Sequence, residues 1–334
     1  MQIRFPVFIS LFRMFFTIYA VLSSEISYGK ILFMKTIFTY TITPADAGKK
    51  ISQYLSEHGY SSRLRLHLRT TPDCIFIGET AVFSNHILED GDVLRVELVE
   101  KKGSEAIIPV PMKLDILFED EHLMIINKPA GMPVHPSQGN YGNTLANGIA
   151  AYMEEKGIDF VFRAVNRLDR DTSGLLIIAK HMLSASILSD QVKDHAIYRE
   201  YAAIVCGRTE PQGTINAPIA RKDGSTIERV VDWEQGESSI THYQTLAYNE
   251  KTDLSYIRLL LETGRTHQIR VHMKHIGHPL PGDFLYNPDY RYIERQALHS
   301  VYLRFTHPIT GSMMEFHAPL PEDMAVLFPD ITAF

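Results

Sequence analysis

Apolar and polar residues follow one another along this chain in short blocks, a pattern that predicts many strands and few long helices. The segment ISQYL, residues 51–55, places its apolar side chains at helical spacing. Gly59, Tyr60, Ser61 and Ser62 break it before three arginines, Arg63, Arg65 and Arg69. Apolar runs at 74–77 and 93–98 read as strands, with Glu89, Asp90, Gly91 and Asp92 turning between elements. Residues 114–128 hold two apolar runs around the acidic turn Glu119, Asp120, Glu121, which predicts a hairpin. NKPAGMPVHP, residues 127–136, is a rigid irregular segment, because its prolines and glycine suit neither helix nor strand interiors. A helix is expected over 143–155, with Leu145, Ile149 and Tyr152 on one face, and an amphipathic helix over 182–195. Strands follow at 198–205, 241–247 and 255–262, and two more close the chain at 299–305 and 315–318. After Gly264 a short run is compatible with helix, with Ile269, Met273 and Ile276 on one face and His267, Arg270 and Lys274 on another.

The stretch around which the rest is organised is NRLDRDTSGLLIIAK, residues 166–180. A charged cluster from Arg167 to Asp171 meets a small-residue corner at Thr172, Ser173 and Gly174, then a continuous aliphatic run ending at Lys180. Such a run predicts a strand hidden on both faces, fed by a polar loop. Carboxylates at the mouth of a rigid core strand are well placed for chemistry, and on composition alone Asp169 and Asp171 are equal candidates.

The 334 residues divide by pattern into four parts. Residues 1–33 are strongly apolar from Phe5 to Leu22 with Arg13 in the middle. The simpler account is a non-native extension from an upstream start codon, and the alternative is an anchor or signal. Residues 34–100 form a small α+β domain, 101–112 a linker with Pro109 and Pro111, and 113–325 the principal domain. Hydrophobic content of 45% with 22% charged residues is that of an ordinary globular protein. Cys74 and Cys206 are far apart, which suits a reducing, cytoplasmic setting and gives no cysteine metal site. The net charge of -6 requires any nucleic-acid contact to come from local clusters of cations. Residues 264–307 carry 6 Lys and Arg against 3 acids and are the best candidate for such a surface. His267, His272, His275 and His278 raise a metal-hydrolase reading. No acid lies among them to act as ligand or base, and Gly277 and Pro279 break the helix, so no metal is expected.

Three segments in order resemble the RluA/RluD family of pseudouridine synthases. NRLDRDTSGLLIIAK departs from the family's HRLDxxTSGLLxxAK only in its leading residue, Asn166. YREYAAIV, residues 198–205, resembles KxYxAxV, with Tyr201 on the tyrosine and Arg199 where Lys is usual. GRTHQIRVHMKHIGHPLPGD, residues 264–283, matches the third element almost completely, and NKPAGMPVHP matches a fourth. The resemblance implies a mixed, mainly antiparallel sheet decorated by helices, an α+β fold with an RNA cleft across its middle. Residues 34–100 resemble a degenerate S-four-like RNA-binding domain.

The resemblance makes Asp169 the nucleophile, Arg270 its ion-pair partner, and Tyr201 the residue that stacks on uracil and handles its proton. Arg167 takes the position of the residue thought to fill the space left by the flipped base. Lys180, Arg199, Arg265 and His267, with Arg63 and Arg65 in the first domain, are expected RNA contacts. The implied reaction isomerises uridine within RNA without redox change or group transfer, so no cofactor is needed. The expected partner is ribosomal RNA of the large subunit, with transfer RNA as the alternative and a monomer as the working form. A synthase fold that only binds RNA is the remaining reading, against which the retained Asp169, Tyr201 and Arg270 stand.

Overall fold

The computed structural model describes residues 33–101 and 107–329, which fall into two compact units divided after Lys101. The expectation for the apolar extension therefore lies outside the described residues, apart from Phe33. Among the described residues no helix is long and apolar enough to cross a membrane.

The first unit runs β1 (Phe33–Thr41), α1 (Ile51–Glu57), α2 (Ser62–Thr70), β2 (Ile75–Ile77), β3 (Thr80–Ala81) and β4 (Val93–Lys101). Its sheet has the order β1-β4-β2-β3, and the helices bury Ile51, Tyr54, Leu55, Leu64 and Leu68. Strand β1 is not evident in the pattern, because threonines interrupt its apolar positions, yet it pairs with β4 along its whole length. Ser62 opens α2 instead of extending the break, since the Ser61 hydroxyl accepts the Leu64 amide and caps the helix.

The second unit runs β5 (Ile116–Glu119), β6 (Leu123–Lys128), α3 (Leu145–Glu155), β7 (Ser173–Ala179), α4 (Met182–Lys193), β8 (Tyr198–Cys206), β9 (Gln212–Asn216), β10 (Ile219–Arg221), β11 (Arg229–Val231), β12 (Ile240–Asn249), β13 (Leu254–Leu261), α5 (Gln268–His275), β14 (Leu298–Thr306), β15 (Met313–His317) and α6 (Glu322–Ala325). Strands β10 and β11 make a separate hairpin. The rest join one sheet in the order β5-β6-β7-β14-β8-β13-β12-β9, with β15 also on β14. Every neighbour in it is antiparallel except β7 and β14. This is the mixed, mainly antiparallel sheet that the family resemblance implies.

Strand β7 is buried at every residue. Leu176 and Ile178 pack with Leu145, Ile149 and Met153 of α3, whereas Leu175, Ile177 and Ala179 pack with Leu188 of α4 and with Leu303 and Phe305 of β14. A strand covered on both faces has no polar side to display, which is why its sequence reads as an unbroken aliphatic run. Its entry is fixed by Gly174, at φ 109°, where a Cβ would stand 2.2 Å from the Ser300 carbonyl oxygen of β14.

Two consequences are measurable. Gly174→Ala forces β7 and β14 apart and is expected to lower stability in urea unfolding by about 3 kcal/mol. His181 and His299 are buried, and desolvation lowers their pKa to about 3 and about 4. The unfolded chain therefore takes up protons that the folded one refuses. Their contribution is complete above the unfolded imidazole pKa and is lost as pH falls toward the folded values. Unfolding free energy is expected to drop between pH 7 and 5 by about 2 kcal/mol per histidine, and His299→Gln should flatten that slope.

Candidate active site

The loop entering β7 is held from two sides. Asn166, the one departure from the family motif, is buried, with its Nδ2 donating to the Leu175 carbonyl and its Oδ1 accepting the Ile177 amide, at 3.2 and 2.9 Å. It clips the loop to the strand that follows. Lys128, fully buried at the end of β6, donates from Nζ to the carbonyls of Pro129, Met132 and Arg170 at 2.7, 2.9 and 3.0 Å. Burial pushes its pKa down to about 7, against the opposing charges of Asp171 and Asp169. The ammonium thus ties the 127–136 segment to the residue next to Asp169. The amide of Thr172 donates to the Asp169 carbonyl and closes the turn.

This geometry separates the two candidate carboxylates. Asp171 is held by the guanidinium of its neighbour Arg170, at 2.8 to 3.1 Å. Asp169 meets Arg270 across the cleft instead, with Nη1 donating to Oδ2 at 2.8 Å. Arg270 is 1% exposed, and its remaining nitrogens Nε and Nη2 grip both oxygens of Asp283 at 2.7 Å. Burial opposes its charge, but the Asp283 bonds and the charges of Asp169 and Asp283 prevail and raise its pKa. Asp283 is itself fully buried and also accepts the amides of Leu285 and Tyr286. Tyr286 and Phe284 flank the guanidinium, with ring centroids 5.0 and 5.5 Å from its carbon. Helix α5 is docked by Gln268, whose Nε2 donates to the Ile240 carbonyl and whose Oε1 accepts the Arg265 amide.

Asp169, Tyr201, Arg270 and His267 line one cleft of about 570 Å³, and Arg167, Arg199 and Arg265 line it too. Tyr201 is 4% exposed on β8, between Leu259 of β13 and Ser300 of β14, and its hydroxyl makes no hydrogen bond with any described residue. A carboxylate, a fixed cation and a phenol in one half-enclosed space suit proton transfer and nucleophilic attack on a flat polar substrate.

Comparison with known proteins agrees with this reading. The model of the RNA pseudouridylate synthase family matches residues 122–275. The chain is 43% identical over 278 residues to the uncharacterized RNA pseudouridine synthase YjbO of Bacillus subtilis, covering 83% of this chain and 97% of that protein. This chain belongs to the RNA pseudouridine synthase family. It is also 44% identical over 237 residues to the ribosomal large subunit pseudouridine synthase D of Zymomonas mobilis, covering 66% of this chain and 73% of that one. The solved structure of human RNA pseudouridylate synthase domain containing 1 superposes with a TM-score of 0.52 at 26% identity, over 62% of this chain and 83% of that chain.

The synthase is thus an isomerase with an RNA substrate, and its cations fall into two groups. Arg167, exposed at the cleft, and Arg199, half-buried there, have no hydrogen-bonded or ion-paired partner among the described residues. Arg265 is exposed but pairs with Glu237 and donates to the Ser238 carbonyl. Lys180 lies outside this cleft, at the far end of β7, with its ammonium held by Glu119 and the Asp120 carbonyl. In the first unit Arg63 is exposed, whereas Arg65 donates to the Tyr60 carbonyl and the Ser56 hydroxyl.

The positive segment 264–307 is not the free basic surface its composition suggests. Arg265, Arg270, Arg291 and Arg295 each face a carboxylate, leaving Lys274 and Arg304. The histidines there diverge: His272 bonds Thr241 and the Ala217 carbonyl, His278 the Cys206 carbonyl, and His267 the Tyr286 hydroxyl. Among the described residues no group of three or more His, Cys, Asp or Glu is arranged to hold a metal ion.

Sequence reasoning passed over Asp283 and Lys128, although both stand in segments singled out for other reasons. The usable signal at Asp283 is the preceding Gly282, at φ 72°, where a Cβ would meet the carbonyl oxygens of Arg295 and Ile293 at 2.3 and 2.5 Å. The two carboxylates on Arg270 predict unequal thermodynamics. Asp283→Ala strands a buried guanidinium and is expected to cost about 3–5 kcal/mol in urea unfolding. Asp169→Ala, at the half-open end of the pair, is expected to change stability by less than about 1 kcal/mol.

Proposed function

We propose that this synthase modifies uridines of large-subunit ribosomal RNA, with Asp169 as the covalent nucleophile, Arg270 as its charge partner and Tyr201 as the residue that stacks on the base. The observation that carries this reading is the Asp169–Arg270 pair at 2.8 Å, set in the same cleft as the unpartnered hydroxyl of Tyr201. In the isomerisation the bond between ribose C1′ and uracil N1 breaks, the base turns, and C1′ joins C5. The C5 proton leaves and N1 gains one, so product and substrate have the same composition and no cofactor takes part. A carboxylate suits the covalent step because it attacks when ionised and leaves readily, at either the ribose or the base. Arg270, fixed by Asp283, keeps the carboxylate oriented through the turn of the base. Tyr201 offers a flat face to the uracil and a phenol oxygen to the C5 proton.

The target base must leave its helix or loop to reach the cleft floor, and Arg167, exposed at the rim, fits the space that base vacates. Arg199 and Arg265 then meet phosphates beside it. Residues 34–100 act as an S-four-like RNA-binding domain, with Arg63 and Arg69 exposed on α2 as its phosphate contacts. Arg65 supports that helix and is a weaker candidate. The ribosomal target is favoured because relatives including those of Zymomonas mobilis and Nitrosomonas europaea bear the name ribosomal large subunit pseudouridine synthase D.

The test is tritium release from RNA labelled at uracil C5, using the full chain as a monomer with chelator present. Large-subunit ribosomal transcripts are expected to release tritium, and Asp169→Ala to reduce the rate by about a thousandfold or more. Release from transfer RNA alone would move the substrate to that class. Release by the Asp169→Ala protein would remove Asp169 from its role, and RNA binding without release by the parent would point to a protein that only binds.

A further inference from the structure

We propose that His267 and Tyr286 form a positioning pair, in which the His267 Nε2–H becomes a second donor to Oδ2 of Asp169 in the RNA complex. Oδ1 is then the oxygen that reacts. This rests on the reading of Asp169 as nucleophile and adds to it a division of labour between its two oxygens.

The argument begins at one phenol oxygen. The Tyr286 hydroxyl accepts the backbone amide of Arg229 at 2.9 Å and lies 3.0 Å from Nδ1 of His267. An amide can only donate, so the hydroxyl oxygen is the acceptor there. Tyr286 is 6% exposed, and no other described group bonds its hydroxyl. Were Nδ1 also to donate, the phenol proton would be buried without an acceptor, at a cost of about 1–3 kcal/mol. The satisfied arrangement sends the phenol proton to Nδ1, and the imidazole proton then sits on Nε2. Burial favours this neutral ring by lowering the His267 pKa.

Nε2 stands 3.8 Å from Oδ2 of Asp169, the oxygen that Arg270 already holds. That is too long for a hydrogen bond, but a shift of under about 1 Å closes it, and catalytic bonds commonly tighten around bound substrate. His267 takes the left-handed conformation at φ 59° and precedes α5 without capping it, so its side chain has no local task in the helix. The charged groups around it are Asp169, Arg270, Asp283 and Arg229. Because Arg229 belongs to β11, the β10–β11 hairpin leans on the same hydroxyl that sets the tautomer.

The left-handed backbone makes the test sharp. Asn is the side chain best suited to that conformation after Gly, but its amide reaches only as far as Nδ1. Gln is worse for the backbone and carries an N–H near the place of Nε2. A donor role predicts that His267→Gln stays within about fivefold of the parent single-turnover tritium-release rate on a large-subunit ribosomal transcript. His267→Asn and His267→Ala should fall about tenfold to a hundredfold, and Tyr286→Phe about tenfold, all at saturating RNA. Independently of any substrate, nitrogen-15 spectra of the imidazoles in the full chain should show the Nε2–H tautomer at His267, and Tyr286→Phe should shift its Nδ1 resonance as that nitrogen loses its hydrogen bond. Asn outperforming Gln, or an Nδ1–H tautomer in the parent, would overturn the proposal while leaving Asp169 in place. Activity in Asp169→Ala is the separate result that would remove its foundation.

Discussion

A single buried guanidinium determines how this active site can be built. Arg270 sits on a helix with almost no exposure, and taking that charge out of water is tolerable because the buried carboxylate of Asp283 grips it with two bonds, to which Asp169 adds one from the cleft side. Asp283 supplies the bidentate partner from within the core and is anchored by two backbone amides. Asp169 supplies the third bond from the cleft side. The loop before β7, helix α5 and the segment around Asp283 are therefore brought to one point by one cation. The carboxylate that faces substrate is held by a group that is itself immobilised, the arrangement preorganised sites require.

Much of this was legible in the residues. The unbroken aliphatic run 175–179 announced a strand covered on both faces, and the structure buries it between α3 and α4. The acidic turn at 119–121 announced the β5–β6 hairpin. Asp169, Tyr201 and Arg270 were placed by resemblance, and the fold brings them to one cleft. What stayed hidden has a common cause, because pattern reading senses local sequence and cannot see partners far along the chain. Strand β1 was masked by its threonines and is defined by pairing with β4. Asp283 reads as a turn acid until Arg270 is seen against it. Lys180 reads as a free cation until Glu119, which is distant in sequence, is found beside it.

The same limit governs the electrostatics. Counting charges over residues 264–307 suggests a basic face, yet most of its arginines are committed to nearby carboxylates. Uncommitted cations at the cleft, among them Arg167, Lys193 and Arg199, come from other segments. An acidic protein can approach RNA in this way, with a few unpaired guanidiniums at the cleft and a surface elsewhere that does not attract phosphate indiscriminately.

The lone parallel pairing in the large sheet bears on how the chain is made. Ser173 and His299 lie side by side there, yet they are 126 residues apart in sequence. At ordinary rates of synthesis the second arrives roughly 6–25 s after the first. Through that interval β7, which the finished fold buries at every residue, has β6 on one edge and awaits β14 on the other. An unpaired edge of this composition readily recruits other strands. On the ribosome, the element that carries the catalytic loop thus keeps one strand edge open until β14 has been made.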